Sequence, residues 1–232
     1  MVPERSPVAI SPDAVETRFL SRVYAWMAGG LALTALVAWY TVTTPALLTA
    51  IVTNRILFFG LILAELGLVV WLSGLIGKMS ASTAAGVFLF YSGLNGLTLS
   101  VVVLAYTATS IASTFVVTAG TFAAMSAYGL LTKRSLDGLG SFCFMGLIGV
   151  ILAGVVNIFL RNSMVEFVVS CVGVVVFVGL TAYDTRKLKM MGATIDADSE
   201  EGRRGAISGA LALYLDFVNL FLMLLRLFGR RR

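Results

Sequence analysis

The chain has 232 residues and no histidine, and only 12% of its residues are charged, against roughly 25% in an ordinary soluble domain. The missing imidazole excludes a His-based metal site, a Ser/His/Asp triad, a Cys/His dyad and a histidine proton relay within this chain. Cysteine is nearly absent too. Cys143 and Cys171 both lie inside apolar runs, where a thiol packs as a small hydrophobe. The stretch Met1 to Arg22 holds three of the four prolines and charges of both signs. It lacks the basic region, apolar region and cleavage site of a signal peptide, so insertion is expected to fall to the first membrane helix.

What is present is apolar: 59% hydrophobic residues with 23 Gly and 9 Met. That excludes a soluble domain, and it excludes disorder, which needs few apolar residues and many charges. The expected class is all-α, a polytopic membrane protein. A hydrocarbon core of about 30 Å takes roughly 20 apolar residues per helix, and seven such windows follow Arg22: 23–42, 56–76, 84–106, 111–131, 139–160, 164–183 and 206–228. The expected organisation is a cytoplasmic N-terminal arm (1–22), a seven-helix transmembrane domain (23–229) and a basic tail (230–232). Short connections make successive helices antiparallel neighbours. No internal repeat stands out. Glycines within the spans, Gly29, Gly30, Gly93, Gly96, Gly146, Gly149, Gly173 and Gly179, are read as close helix contacts.

The net charge of +5 would suggest nucleic acid in a soluble protein, but here the basic residues sit between apolar segments and report topology, not a nucleic-acid partner. Of 17 Lys and Arg, eleven fall on the side of the N-terminus: Arg5, Arg18, Arg22, Lys78, Lys133, Arg134, Arg186, Lys187, Lys189, Arg203 and Arg204. Positive-inside bias therefore places the N-terminus in the cytoplasm, with a bacterial inner membrane as the expected location. Arg226, Arg230, Arg231 and Arg232 spoil the bias. Either the seventh segment spans fully with its tail outside, the favoured reading, or it is re-entrant. The polar segment 185–205 is read as a solvated cytoplasmic loop; its acids Asp196, Asp198, Glu200 and Glu201 lack EF-hand spacing.

An ionisable residue within a membrane span is a functional-site hypothesis by default. Three acids qualify: Glu65 in the second span, Asp184 at the cytoplasmic end of the sixth, and Asp216 in the seventh. Asp216 lies in an otherwise apolar run, with Asn219 one turn later on the same face. That face must look into the bundle, towards a polar partner or a water-filled cavity. Asp184 is followed by Arg186, Lys187 and Lys189, so it is equally read as an interfacial ion pair. Glu166, at the start of the sixth span, can reach the interface.

Two segments, Thr181-Ala-Tyr-Asp-Thr-Arg and Ala212-Leu-Tyr-Leu-Asp-Phe-Val-Asn-Leu-Phe, resemble the signature segments of the transmembrane Bax-inhibitor-motif family of the Bax inhibitor-1 type, and the chain is similar to its bacterial members along almost its whole length. The resemblance implies six helices surrounding a central seventh, and a pH-sensitive calcium leak channel gated by a hydrogen-bonded latch between Asp184 and Asp216. It implies that Glu65 lines the ion path together with Asp184, Asp216 and Asn219. Calcium is then the permeant ion, held transiently by Glu65, Asp184 and Asp216, and no cofactor is expected. Some bacterial relatives tie an arginine of the second helix to the latch. Here that stretch reads Leu72-Ser-Gly-Leu-Ile-Gly-Lys78, which leaves Lys78 as a shifted substitute and Arg186 as a further candidate partner. In physical terms, two carboxylates crowded in a low-dielectric site cannot both ionise cheaply. They share a proton and titrate as a pair, a pH switch that needs no histidine.

Two other readings compete. One is a non-transporting regulator, an inhibitor or partner of a membrane-bound AAA protease or of cell-death and stress pathways. The other is an intramembrane aspartyl protease, with two membrane aspartates and a Pro45-Ala-Leu47 coincidence. It fails in detail, since Asp216 does not follow Gly-x-Gly, and no enzymatic activity is expected.

Overall fold

In hydrocarbon only a helix satisfies every backbone polar group within one segment, and the apolar windows accordingly all fold as helices. The computed structural model describes residues 12–232, with side chains from Val15 onward; Arg5 and the rest of the first eleven residues of the expected arm lie outside the described residues. The helices are α1 (Pro12–Thr43), α2 (Pro45–Thr53), α3 (Arg55–Leu75), α4 (Ala81–Ala105), α5 (Ala108–Leu131), α6 (Asp137–Leu160), α7 (Ser163–Gly192) and α8 (Glu200–Phe228), with a 3-10 turn, Ile76–Lys78, after α3. Seven are long and apolar enough to cross a membrane. The exception is α2, nine residues opened by Pro45, which suits the first helical turn because it has no N–H to leave unpaired.

Polar residues between the windows set the boundaries. Asn54, Ser80, Thr107, Asn162 and Ser199 each accept a hydrogen bond from a first-turn N–H of α3, α4, α5, α7 and α8 respectively, satisfying donors a helix start leaves orphaned. The expected loop 185–205 is mostly helix. Because Arg, Lys, Leu and Met favour helix, α7 runs past the apolar window to Gly192, and α8 begins at Glu200, so the connection shrinks to 193–199.

The last helix is the core element. It packs against α1, α4, α5 and α7, while α3 rests chiefly on α4 and α6 on α7. Leu213, Tyr214, Leu220 and Leu225 of α8 are almost wholly inaccessible. Among the glycines, Gly30, Gly96, Gly146, Gly173 and Gly179 do meet neighbouring helices closely, whereas Gly29, Gly93 and Gly149 face open space. These three are not contact glycines.

The two ends of the bundle are tied differently. At one end Arg22 bonds the Ala197 carbonyl and Asp198, and Arg18 lies 3.6 Å from Asp198. There too the Ala81 N–H donates to Glu200 at 2.6 Å, and Arg204 donates to the Gly77 and Met79 carbonyls at 2.9 and 3.1 Å. At the other end the tail lies along the α4–α5 connection: Thr107 N–H donates to the Arg230 carbonyl at 3.1 Å and Arg232 N–H to that of Ala105 at 2.9 Å. Arg231 pairs with Glu166 at 2.7 Å. Thus α8 traverses the bundle completely, and its tail sits on the face opposite the α7–α8 connection.

Candidate functional site

A cavity of about 1170 Å³ lies between the α3–α4 and α6–α7 pairs, with α8 as its floor. Its lining reaches from Ser208 to Arg226 along α8, roughly 27 Å at 1.5 Å rise per residue, close to the thickness of the hydrocarbon layer. Glu65, Asp184, Asp216 and Asn219 all face it. The wall is otherwise mainly apolar.

Each polar group is held by its helix and a neighbour. Glu65 Oε1 accepts a hydrogen bond from the Thr98 hydroxyl of α4 at 2.8 Å. Asn219 donates to the Leu215 carbonyl one turn back, at 2.8 Å. Asp216 is only 4% exposed. Its carboxyl stands within hydrogen-bonding reach of that of Asp184, and its Oδ2 finds no donor among the described residues. Two ionised carboxylates offer no proton to each other, so Asp184 can satisfy that oxygen only when one member of the pair is protonated. The cost of leaving it unsatisfied is about 1–3 kcal/mol or more.

The cations are placed differently from expectation. Lys78 is exposed in the 3-10 turn, outside the cavity, and Arg186 faces a smaller, separate cavity. The ammonium that acts on Asp184 is that of Lys187, one turn on along α7. Nor do the three acids form a joint metal site: among the described residues no group of three such side chains converges on one point. Glu65 and the Asp184–Asp216 pair line one cavity without meeting at a common point. The Pro45-Ala-Leu47 segment opens α2 and does not line it.

Residues not singled out in the sequence complete the site. Tyr91, Asn95 and Thr98 line the cavity at i, i+4 and i+7, a polar stripe that helical spacing could have disclosed. Beside them the Tyr214 hydroxyl lies 2.7 Å from that of Thr34, which also donates to the Ser92 carbonyl, and the Tyr91 and Tyr214 rings meet edge to face, 5.8 Å apart. This network ties α1, α4 and α8 together two residues from Asp216.

Comparison with known proteins gives consistent results. The sequence profile of the family described as "Bax1-I: Inhibitor of apoptosis-promoting Bax1" matches residues 16–232. The inner membrane protein YbhL of Escherichia coli (strain K12) is 53% identical, covering 98% of each chain. An uncharacterized protein of Borreliella burgdorferi is 44% identical over 94% of each chain, and one of Deinococcus radiodurans 41% identical over 94% of this chain and 93% of its own.

Proposed function

The chain belongs to the family of inhibitors of apoptosis-promoting Bax1, and we propose that this multi-pass membrane protein is a pH-sensitive calcium leak channel whose gate is the carboxyl pair of Asp184 and Asp216. The observation that carries this reading is the buried Asp216 carboxyl, one oxygen of which finds no donor among the described residues, set against the carboxyl of Asp184. A shared proton binds α7 to α8; when both groups ionise, repulsion in a low-dielectric site separates them. Calcium favours carboxylate oxygens, and Glu65 and the Asp184–Asp216 pair supply them at two places along the cavity. Binding at dispersed stations suits conduction, which requires an ion to leave as readily as it enters. By the name of the E. coli relative and the positive-inside bias, the setting is a bacterial inner membrane with the N-terminus in the cytoplasm.

The test is calcium entry into proteoliposomes loaded with a calcium-sensitive dye, measured across pH 5–8. Wild-type protein is expected to conduct with a pH-dependent rate. Asp184→Asn with Asp216→Asn keeps the shape of the pair and removes its titration, so its rate is expected to be flat across the range. A mutant that retains the wild-type profile refutes the latch. Absence of flux in every protein, with co-purification of a membrane-bound AAA protease, favours the non-transporting regulator instead.

A further inference from the structure

A second cavity, of about 430 Å³, opens where the α5–α6 connection meets the end of α7, and Lys133, Arg186 and Lys187 all line it. It lies at the end of the bundle that carries most of the basic residues. None of the three cations makes an ion pair among the described residues. The single acid in the lining, Asp137, accepts a hydrogen bond from the Ser135 hydroxyl at 2.8 Å. The three cations thus outnumber the one acid of the lining and leave the cavity with a net positive charge. Several other cations at this end are already engaged: Arg18 and Arg22 with Asp198, Arg203 with Glu200, Lys189 with the Leu130 carbonyl.

The surroundings of the cavity are apolar and face outward. Met190, in its wall, is 61% exposed, and Leu131 and Phe142, on the helices that flank it, are 80% and 62% exposed. A cationic pocket set in an apolar collar fits an amphiphile whose anionic head enters the pocket while its chains run along the helices. Pockets of this kind at the cytoplasmic face suit anionic lipid headgroups. We propose that this cavity is a binding site for the phosphate headgroup of an anionic phospholipid.

The site also touches the larger cavity. Tyr183 and Lys187 line both, and Lys187 is the cation that acts on Asp184. A phosphate held by Lys133 and Arg186 competes for Lys187 and so draws its charge away from the carboxyl pair.

Native mass spectrometry of the full chain, purified from phosphatidylcholine vesicles containing phosphatidylglycerol, tests the proposal. Wild type is expected to retain phosphatidylglycerol in preference to phosphatidylcholine. The triple variant Lys133→Gln, Arg186→Gln, Lys187→Gln is expected to lose at least about tenfold of that retention, and an Arg55→Gln, Arg161→Gln control at the other end none. A photoactivatable phosphatidylglycerol, applied to wild type alone, is expected to label residues 131–142 and 183–190. Equal retention by the triple variant, labelling elsewhere, or displacement of the lipid by millimolar inorganic phosphate each overturns the assignment, the last by making it a free-phosphate site.

Discussion

Gly129 stands where α5 touches α7, and a Cβ there would lie 2.5 Å from the Ala182 carbonyl oxygen and 3.1 Å from the Thr185 side chain. The obstacle is backbone, which cannot swing aside, so Gly129→Ala must push the helices apart. Overpacking of this kind costs about 1–3 kcal/mol, and a corresponding fall in the detergent unfolding midpoint is expected. Asp184 lies between Ala182 and Thr185, so the same substitution should also alter the pH profile of calcium flux; an unchanged profile would detach the α5–α7 contact from the gate. Residues differ in how plainly their place is written. Asp216 stood out because a lone acid in an apolar run has to face inward. Thr98 and Lys187 did not, because a hydroxyl in a helix and a lysine at its end have ordinary uses, and the roles they take depend on neighbouring helices.

The connection between α7 and α8 shows what an element adds. The windows located all seven spans, since the length of an apolar run answers to bilayer thickness, but they missed the extension of α7 to Gly192 because polar helix former and polar loop look alike in hydropathy. The extension leaves residues 193–199 as a short strap, pinned by Asp198 to α1. The hydrogen bond from Arg22, with the charges of Arg22 and Arg18, holds the Asp198 carboxyl below the ordinary carboxylate range. A group whose pKa is lowered on folding contributes stability above its unfolded value, about 4, and loses it as pH falls through the folded value. Protection of 193–199 against hydrogen exchange, relative to the intrinsic rate at each pH, is therefore expected to hold at neutral pH and to fall only below about pH 4. Asp198→Asn should exchange quickly at neutral pH, and slow exchange in that variant would show the strap is held by other contacts. This clamp is insensitive to the near-neutral range in which the Asp184 and Asp216 pair is proposed to act.

At the scale of the whole molecule, the feature without any sequence signature is the separation of α3 from α6. Each leans on one neighbour, α4 or α7, and the space between them becomes the cavity along α8. Hydropathy reports how apolar a helix is, not which helix it touches. If that space is the ion path, narrowing it should stop conduction without harming the fold. Gly154 of α6 lines the cavity, and a Cβ there would meet nothing within 4 Å. An indole at that position, with roughly 150–250 Å² of surface to bury, extends into empty space rather than into a packed contact. Gly154→Trp is expected to unfold at the wild-type midpoint and to reduce calcium flux about tenfold or more at every pH, because a constriction acts independently of the gate. Glu65→Gln removes charge but hardly changes volume, so it should weaken calcium flux while leaving passage for an uncharged solute unaltered. Together the two substitutions separate width from charge. Full calcium flux in Gly154→Trp, with the fold intact, would place the conduction path elsewhere in the bundle.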